Sequence, residues 1–209
     1  MSTEMPEKVR QQIEKGIEII RKGGVVAYPT DTVFGLGAGI YHQSAIERIF
    51  RIKQRPSKMA LPVLLAGIEQ VPEVAINVPA YGWRLIERFL PGGLTLIVYR
   101  TPAVGDIITA GGDTVAIRIP DHPVPAALIR GSGMPIIGTS ANLSGQPLML
   151  DSNDVREKLG DAVDLVIDGV SPGGRASTVV DVTGEAAVIL RTGAISKAEI
   201  EEVTEVKQT

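Results

Sequence analysis

The sequence predicts an α/β fold: a single domain whose twisted sheet mixes parallel and antiparallel strands and is flanked by helices. Three observations predict it. Segments of helical periodicity alternate with short apolar strand-like runs, with no internal repeat and no linker-like stretch. The 23 glycines and 14 prolines fall between those segments as punctuation and form no low-complexity tract. At 209 residues, 44% of them hydrophobic and 22% charged, the chain can bury one sizeable core.

The elements follow in order. Residues 6–22 place Val9, Ile13, Ile17 and Ile20 on one helical face behind Pro6, and Gly23-Gly24 ends the segment. Val25 to Tyr28 reads as a short buried strand stopped by Pro29. Gly35, Gly37 and Gly39 then form G-x-G-x-G; the third glycine is misplaced for a dinucleotide fingerprint, and a flexible or tightly packed turn is expected. Ser44 and Glu47 have capping-box spacing and open a helix through about Ile52, with Ile46, Ile49 and Phe50 facing inward. Leu61 to Ala66 reads as a strand, and residues 79–90 as a helix carrying Trp83, Ile86 and Phe89. Leu94 to Tyr99 and Thr114 to Ile119 alternate as strands, and the second puts Arg118 on the face opposite Val115 and Ile117. Residues 124–129 look helical, 135–138 extended, and Asp151 or Ser152 caps a helix that precedes a strand at 163–167. Residues 178–182 and 187–191 pair as a hairpin around Thr183-Gly184-Glu185, and Ser196 with Glu199 caps a last helix.

Composition narrows the function. With no cysteine there are no disulfides, thiolate metal sites or cysteine nucleophiles. A net charge of −3 and 4% aromatic residues give neither a global basic footprint nor a base-stacking platform. No apolar run reaches the length of a membrane span and the N-terminus lacks a signal-peptide core, so a cytoplasmic protein without membrane contact is expected. The chain has no G-x-x-x-x-G-K-[ST] loop, no H-E-x-x-H and no G-x-S-x-G elbow, and its two histidines, His42 and His122, are far apart.

The informative residues sit where elements end. Val25–Tyr28 empties into Pro29-Thr30-Asp31-Thr32; the helix ending near Ile52 runs into Lys53-Gln54-Arg55-Pro56; the strand at 135–138 runs into Thr139-Ser140-Ala141-Asn142. Ser177 opens one late strand and Arg191 closes the next. In α/β sheets ligands bind at such ends, where backbone and side chains offer polar groups without breaking the ladder. Each cluster has a plainer explanation as a turn or a solvated helix end. Taken together, Lys53, Arg55, Arg118 and Arg191 with Thr30, Thr32, Ser140, Asn142 and Ser177 suit an anionic ligand such as a nucleotide polyphosphate or a carboxylate. Reactions at phosphate need charge neutralisation and positioning more than a protein nucleophile.

The segments VVAYPTDTVFGLG, RIKQRPSKMALPVLL, VAIRIPDHP, GTSANLSG, STVVDVT and LRTGAIS resemble, in order and approximate spacing, those of the YrdC/Sua5 family over about residues 10–200. That resemblance implies the YrdC-like fold with a concave ligand-binding face, as one domain over 1–209 without the extra C-terminal domain of longer members. It also implies an L-threonylcarbamoyladenylate synthase, a nucleotidyltransferase (EC 2.7.7.87). Such an enzyme converts L-threonine, bicarbonate and ATP to threonylcarbamoyl-AMP and pyrophosphate for tRNA t6A37 modification. By motif, Lys53 and Arg55 are the implied catalytic cations. ATP falls to these two with Thr114, Ser140, Asn142 and Arg191. Threonine falls to Thr30, Thr32, Arg118, Gly138 and Ser177. Mg2+ is implied with ATP, without a dedicated protein site. A downstream threonylcarbamoyl-transferase complex is the implied recipient, with direct tRNA contact left open.

Four positions depart from the family pattern: Phe34 replaces a usual tyrosine, Met59 and Leu64 stand where some members place polar contacts, and Leu148 where serine is common. DGVSPGGRASTVV is also slightly shortened before Ser177. The alternatives are a YciO-like paralogue of the same fold or an RNA-binding module without synthase activity. The intact K-x-R and S-x-N favour the synthase, and the acidic balance disfavours RNA.

Overall fold

The computed structural model describes residues 5–56 and 58–204. The chain order is α1 (Glu7–Arg21), β1 (Val26–Tyr28), β2 (Gly35–Gly39), α2 (Gln43–Lys53), β3 (Val63–Leu64), α3 (Val71–Val74) and β4 (Ala75–Ile76), then α4 (Ala80–Phe89), β5 (Leu94–Arg100), α5 (Asp106–Thr109), β6 (Thr114–Arg118) and α6 (Pro123–Ser132). It continues with β7 (Ile136–Ser140), α7 (Ser152–Leu159), β8 (Leu165–Val166), β9 (Thr178–Asp181), β10 (Val188–Arg191) and α8 (Lys197–Thr204). The strands form one sheet in the order β10-β9-β5-β6-β3-β7-β2-β1-β8, with β4 added on β5. The pairs β1/β8, β3/β6 and β5/β9 are parallel and the remaining pairs antiparallel, so the sheet is mixed as the sequence predicts.

Alternation along the strands divides the core between two faces. Val25, Ala27, Val63, Leu65, Leu94, Leu96, Val115, Ile117 and Ile137 point into the larger cluster, which α2, α4, α7 and α8 cover through Ile46, Ile49, Leu85, Ile86, Val155 and Ile200. Their neighbours Val26, Tyr28, Leu64 and Ile136 point the other way, into a smaller cluster closed by Ile13 and Ile20 of α1 and by Val124, Leu128 and Ile129 of α6. The α1–α6 pair covers only part of this second face. Thr95 of β5, Ala116 and Arg118 of β6 and Val179 of β9, which share its parity, line a cavity instead. A sheet sealed on one side and half covered on the other is what creates the site.

Two local expectations need correction. The G-x-G-x-G segment is no turn: it is β2, inserted between β1 and β7. Its glycines are demanded by neighbours. A Cβ at Gly35 would stand 2.8 Å from the Tyr28 ring, and one at Gly37 would stand 2.7 Å from the Ile137 carbonyl oxygen and 2.8 Å from the Tyr28 hydroxyl. The Tyr28 ring therefore lies across a strand stripped of side chains. The capping box at Ser44 is absent as well. The helix starts earlier, with His42 at the N-cap and no side-chain cap bond, so Ser44 already lies within the first turn. Gln43 Nε2 donates to Glu47 Oε1 (2.9 Å) and uses the acceptor a capping box would need. The other two caps form: Asp151 accepts from the Asn153 amide (2.7 Å), and Ser196 and Glu199 exchange reciprocal bonds (2.8 and 3.3 Å). The short elements α3, β4 and α5 carry no periodic signal long enough to read, since each is a turn or less.

Candidate active site

The cavity has a volume of about 520 Å³ and opens on the half-covered sheet face. Eight of the eleven residues singled out by motif line it: Thr30, Thr32, Arg55, Arg118, Gly138, Ser140, Ser177 and Arg191. They arrive from six separate segments, and the backbone explains each arrival.

The Pro29–Thr32 segment leaves β1 as a side-chain-closed turn. The Thr30 hydroxyl donates to Val33 O (2.7 Å) and accepts from the Thr32 amide (3.1 Å), while the Thr30 amide donates to Ser171 Oγ (3.0 Å). Thr30 is thus occupied in holding the turn, and Thr32 is left to face Arg118, whose Nη1 donates to its hydroxyl (3.3 Å).

Arg118 is the most heavily partnered cation of the site. Its Nη2 donates to both oxygens of Asp31 (2.9 and 2.7 Å) and its Nε to Gly92 O (3.1 Å). The ion pair is largely withdrawn from water, with side chains 13% and 17% exposed, so solvent screens it little. Asp31 escaped selection from the sequence because an Asp in P-T-D-T is an ordinary turn residue. The available signal was a lone carboxylate among cations converging on one pocket.

Lys53 and Arg55 part company at a single residue. Lys53 ends α2; Gln54 then adopts a left-handed conformation (φ 50°), and Arg55 leaves in a new direction. The Arg55 Nη2 donates to Ala60 O (2.8 Å) and its guanidinium lines the cavity. Lys53 does not line it. The residue is 2% exposed, and its ammonium donates to the carbonyls of Ser140 and Asn142, the latter at 2.7 Å, with the Asn142 side-chain oxygen at 3.4 Å. Burial, with Arg55 nearby adding repulsion, lowers its pKa to about 8. Burial also lowers that of Arg55.

Lys53 therefore clamps the polar loop after β7. Within that loop Ser140 Oγ donates to Asn142 Oδ1 (2.5 Å), Asn142 Nδ2 donates to Gln146 O (2.6 Å), and the Ser144 amide donates to Lys53 O (2.9 Å). Ser140 reaches the cavity wall; Asn142 stays buried behind it, joined to Lys53. Thr114 stands apart from the others: it opens β6 opposite Tyr99, two residues before Ala116 and four before Arg118, and does not line the cavity.

On the far wall Arg191 donates through Nε and Nη2 to Ser177 O (3.1 and 2.9 Å) and through Nη2 to Ser177 Oγ (3.1 Å). The adjoining backbone is pressed close, since a Cβ at Gly193 would lie 2.1 Å from Ala176 O. The Ser177 hydroxyl also meets Thr95 Oγ1 at 2.8 Å. Thr95 is a cavity residue that the sequence reading passed over; its signal was a hydroxyl at the outward position of an otherwise apolar strand. Phe34, Leu64 and Leu148 line the cavity, whereas Met59 does not and is 46% exposed. The Tyr28 hydroxyl, in the cavity floor, is buried without a hydrogen-bond partner, and burial raises its pKa.

Three guanidinium groups and hydroxyls at three strand ends give this α/β domain a cationic cavity on an open sheet face, of the kind suited to small anionic ligands. Residues 18–193 match the Sua5/YciO/YrdC family model, whose description is "Telomere recombination", and the chain belongs to that family. It is 42% identical over 194 residues to the threonylcarbamoyl-AMP synthase of Bacillus subtilis, covering 92% of this chain and 56% of that one. The fold is similar to that of Pyrococcus abyssi Sua5 complexed with L-threonine, with a TM-score of 0.90 at 39% identity over 96% of this chain and 58% of that one. It is also similar to Escherichia coli YciO, with a TM-score of 0.84 at 30% identity over 94% and 95%. The chain thus spans a little over half the length of the first two relatives and nearly all of the third.

Proposed function

We propose that the chain is an L-threonylcarbamoyladenylate synthase, a nucleotidyltransferase acting in the cytoplasm. The observation that carries this reading is the cavity itself, lined by the guanidinium groups of Arg55, Arg118 and Arg191, with Arg118 already matched to a carboxylate by Asp31. The likeness to a named threonylcarbamoyl-AMP synthase and to a threonine-bound structure supports it.

In the reaction the threonine amine combines with bicarbonate, losing water, to give a carbamate. A carbamate oxygen attacks the α-phosphorus of ATP; the bond to the β-phosphate oxygen breaks and pyrophosphate departs. Arg55 and Arg191 offset the negative charge that builds on the phosphates, and Arg118 with Thr32 holds the amino-acid carboxylate. Ser140 orders the nucleotide side of the wall, and Lys53 acts one layer behind through the loop it clamps. Mg2+ would arrive with ATP, held largely by phosphate oxygens and water. When bound there it supplies further charge neutralisation. Among the described residues no helix is long and apolar enough to cross a membrane. The product, a mixed anhydride, requires an acceptor, which here would be a threonylcarbamoyl-transferase complex serving tRNA.

The test is pyrophosphate release from MgATP with and without L-threonine and bicarbonate. Release requiring all three, with threonylcarbamoyl-AMP detected by mass spectrometry, is the expected result. ATP binding without such release would favour a YciO-like activity, which the fit to nearly the whole length of E. coli YciO supports.

A further inference from the structure

Arg118 carries five N–H donors and no acceptor, so the direction of every hydrogen bond it makes is fixed. Its Nε donates to Gly92 O at 3.1 Å, its Nη2 to the two oxygens of Asp31 at 2.9 and 2.7 Å, and its Nη1 to Thr32 Oγ1 at 3.3 Å. Nη1 bears two protons and meets one acceptor among the described residues, so one N–H of this nitrogen is left over. The three partners are not placed alike. Thr32 lines the cavity with Arg118, whereas Asp31 and Gly92 do not, although Thr30, Thr32 and Val33 around Asp31 all do. The guanidinium is thus held from outside the cavity through Nε and Nη2, and the nitrogen with a donor to spare is the one bonded to a cavity residue. A ligand carboxylate that took Nη2 would have to displace Asp31; one that took Nη1 would not. The Arg118 and Asp31 side chains are 13% and 17% exposed, so water screens the pair little and the guanidinium has little freedom left to lose on binding.

We infer that Asp31 is a positioning residue for substrate recognition: with Gly92 O it fixes the Arg118 guanidinium so that Nη1, beside the Thr32 hydroxyl, is the edge offered to the carboxylate of bound L-threonine. Asp31 keeps its hold when the ligand enters, and touches neither ligand nor reacting atoms. This rests on the synthase reading, in which Arg118 holds that carboxylate. The opposite arrangement, in which Asp31 occupies Arg118 until the ligand carboxylate displaces it, would place Asp31 in the cavity, and it lies outside.

The test uses the full chain and the near-isosteric Asp31→Asn variant, with L-threonine affinity measured by calorimetry and kinetics by pyrophosphate release. Asp31→Asn raises Kd and KM for L-threonine by about 5- to 20-fold, while kcat at saturating threonine and KM for ATP stay within about twofold. In an Arg118→Gln background the same change costs no more than about a further twofold, because its effect passes through the missing guanidinium; a role confined to shaping the Thr30–Thr32 turn would persist there. Tighter threonine binding in Asp31→Asn is the signature of a competing carboxylate and would overturn the assignment, as would unchanged affinity or an undiminished loss in the Arg118→Gln background. A crystal structure of the unsubstituted chain with L-threonine decides the same point without a variant that must fold: both Asp31 contacts to Nη2 are retained, and a ligand carboxylate in their place would overturn the inference. Failure of the unsubstituted chain to bind L-threonine at all would overturn the synthase reading and this inference with it.

Discussion

Lys53 and Arg55 look equivalent in the string K-x-R and behave as different kinds of residue in the fold. Arg55 reaches the cavity, and its contacts to the protein are carbonyls of its own loop. Arg55→Ala is expected to lower turnover by about 10²-fold or more with stability changed by less than about 1 kcal/mol. Lys53 is structural and functional at once. Lys53→Ala leaves the carbonyls of Ser140 and Asn142 without their donor, so it is expected to lose about 1–3 kcal/mol in urea unfolding in addition to activity. Equal stability losses in the two variants would refute the division. Protonation gives a second handle. Lys53 releases its proton near pH 8 when folded but near its ordinary value of 10.5 when unfolded. Between those values the unfolded chain holds more protons, so this group's contribution to stability rises with pH. The stability difference between the unsubstituted chain and Lys53→Met is expected to shift in favour of the former from pH 8 to 10; a flat or opposite trend would mean that its three acceptors hold the proton on the folded chain.

At the scale of elements, β2 shows where reading the sequence succeeds and where it fails. Amphipathic α1, alternating β6 and the cap of α7 were legible because side-chain periodicity and cap chemistry are local. A strand of alternating glycines has no side-chain period, and its identity is dictated by Tyr28 and Ile137, distant in sequence. The polar strand ends were legible as a set, since turns alone do not call for four cations. The pairing of Arg118 with Asp31, the withdrawal of Lys53 behind the loop and the meeting of Thr95 with Ser177 depend on sheet order, which no local pattern encodes. The glycines of β2 are not equal. A Cβ at Gly37 meets a backbone carbonyl at 2.7 Å, whereas at Gly39 it meets the flexible Met134 sulfur at 2.6 Å. Gly37→Ala is therefore expected to cost more stability than Gly39→Ala, by about 1–3 kcal/mol, because backbone in a central strand cannot step aside. Comparable thermal midpoints for the two would show that β2 and β7 can separate.

Over the whole molecule the two faces of the sheet carry separate duties. The larger core, covered by α2, α4, α7 and α8 with the short α3 and α5 at its margin, holds most of the buried apolar residues. The other face is held by the α1–α6 pair alone, and the uncovered remainder carries the cavity. Leu64 and Leu148 sit in the cavity wall outside the larger core, whereas Phe34 belongs both to that core and to the wall. The contacts in the cavity wall and directly behind it join residues far apart in the chain, Thr32 to Arg118 across 86 positions, Lys53 to Asn142 across 89 and Thr95 to Ser177 across 82. A chain emerging from synthesis is consequently blind to its ligand until β9 and β10 have joined the sheet, and no fragment ending before Arg191 holds a complete wall. Binding is tied to the global fold, so MgATP is expected to raise the unfolding midpoint of the entire chain and to slow amide exchange in β5, β6, β7 and β9 together. Slowing confined to the loop at 140–144 would mean that the site closes by a local event. The sheet order thus leaves the cavity incomplete until the last two strands are in place, so any ligand that fills it would report complete folding.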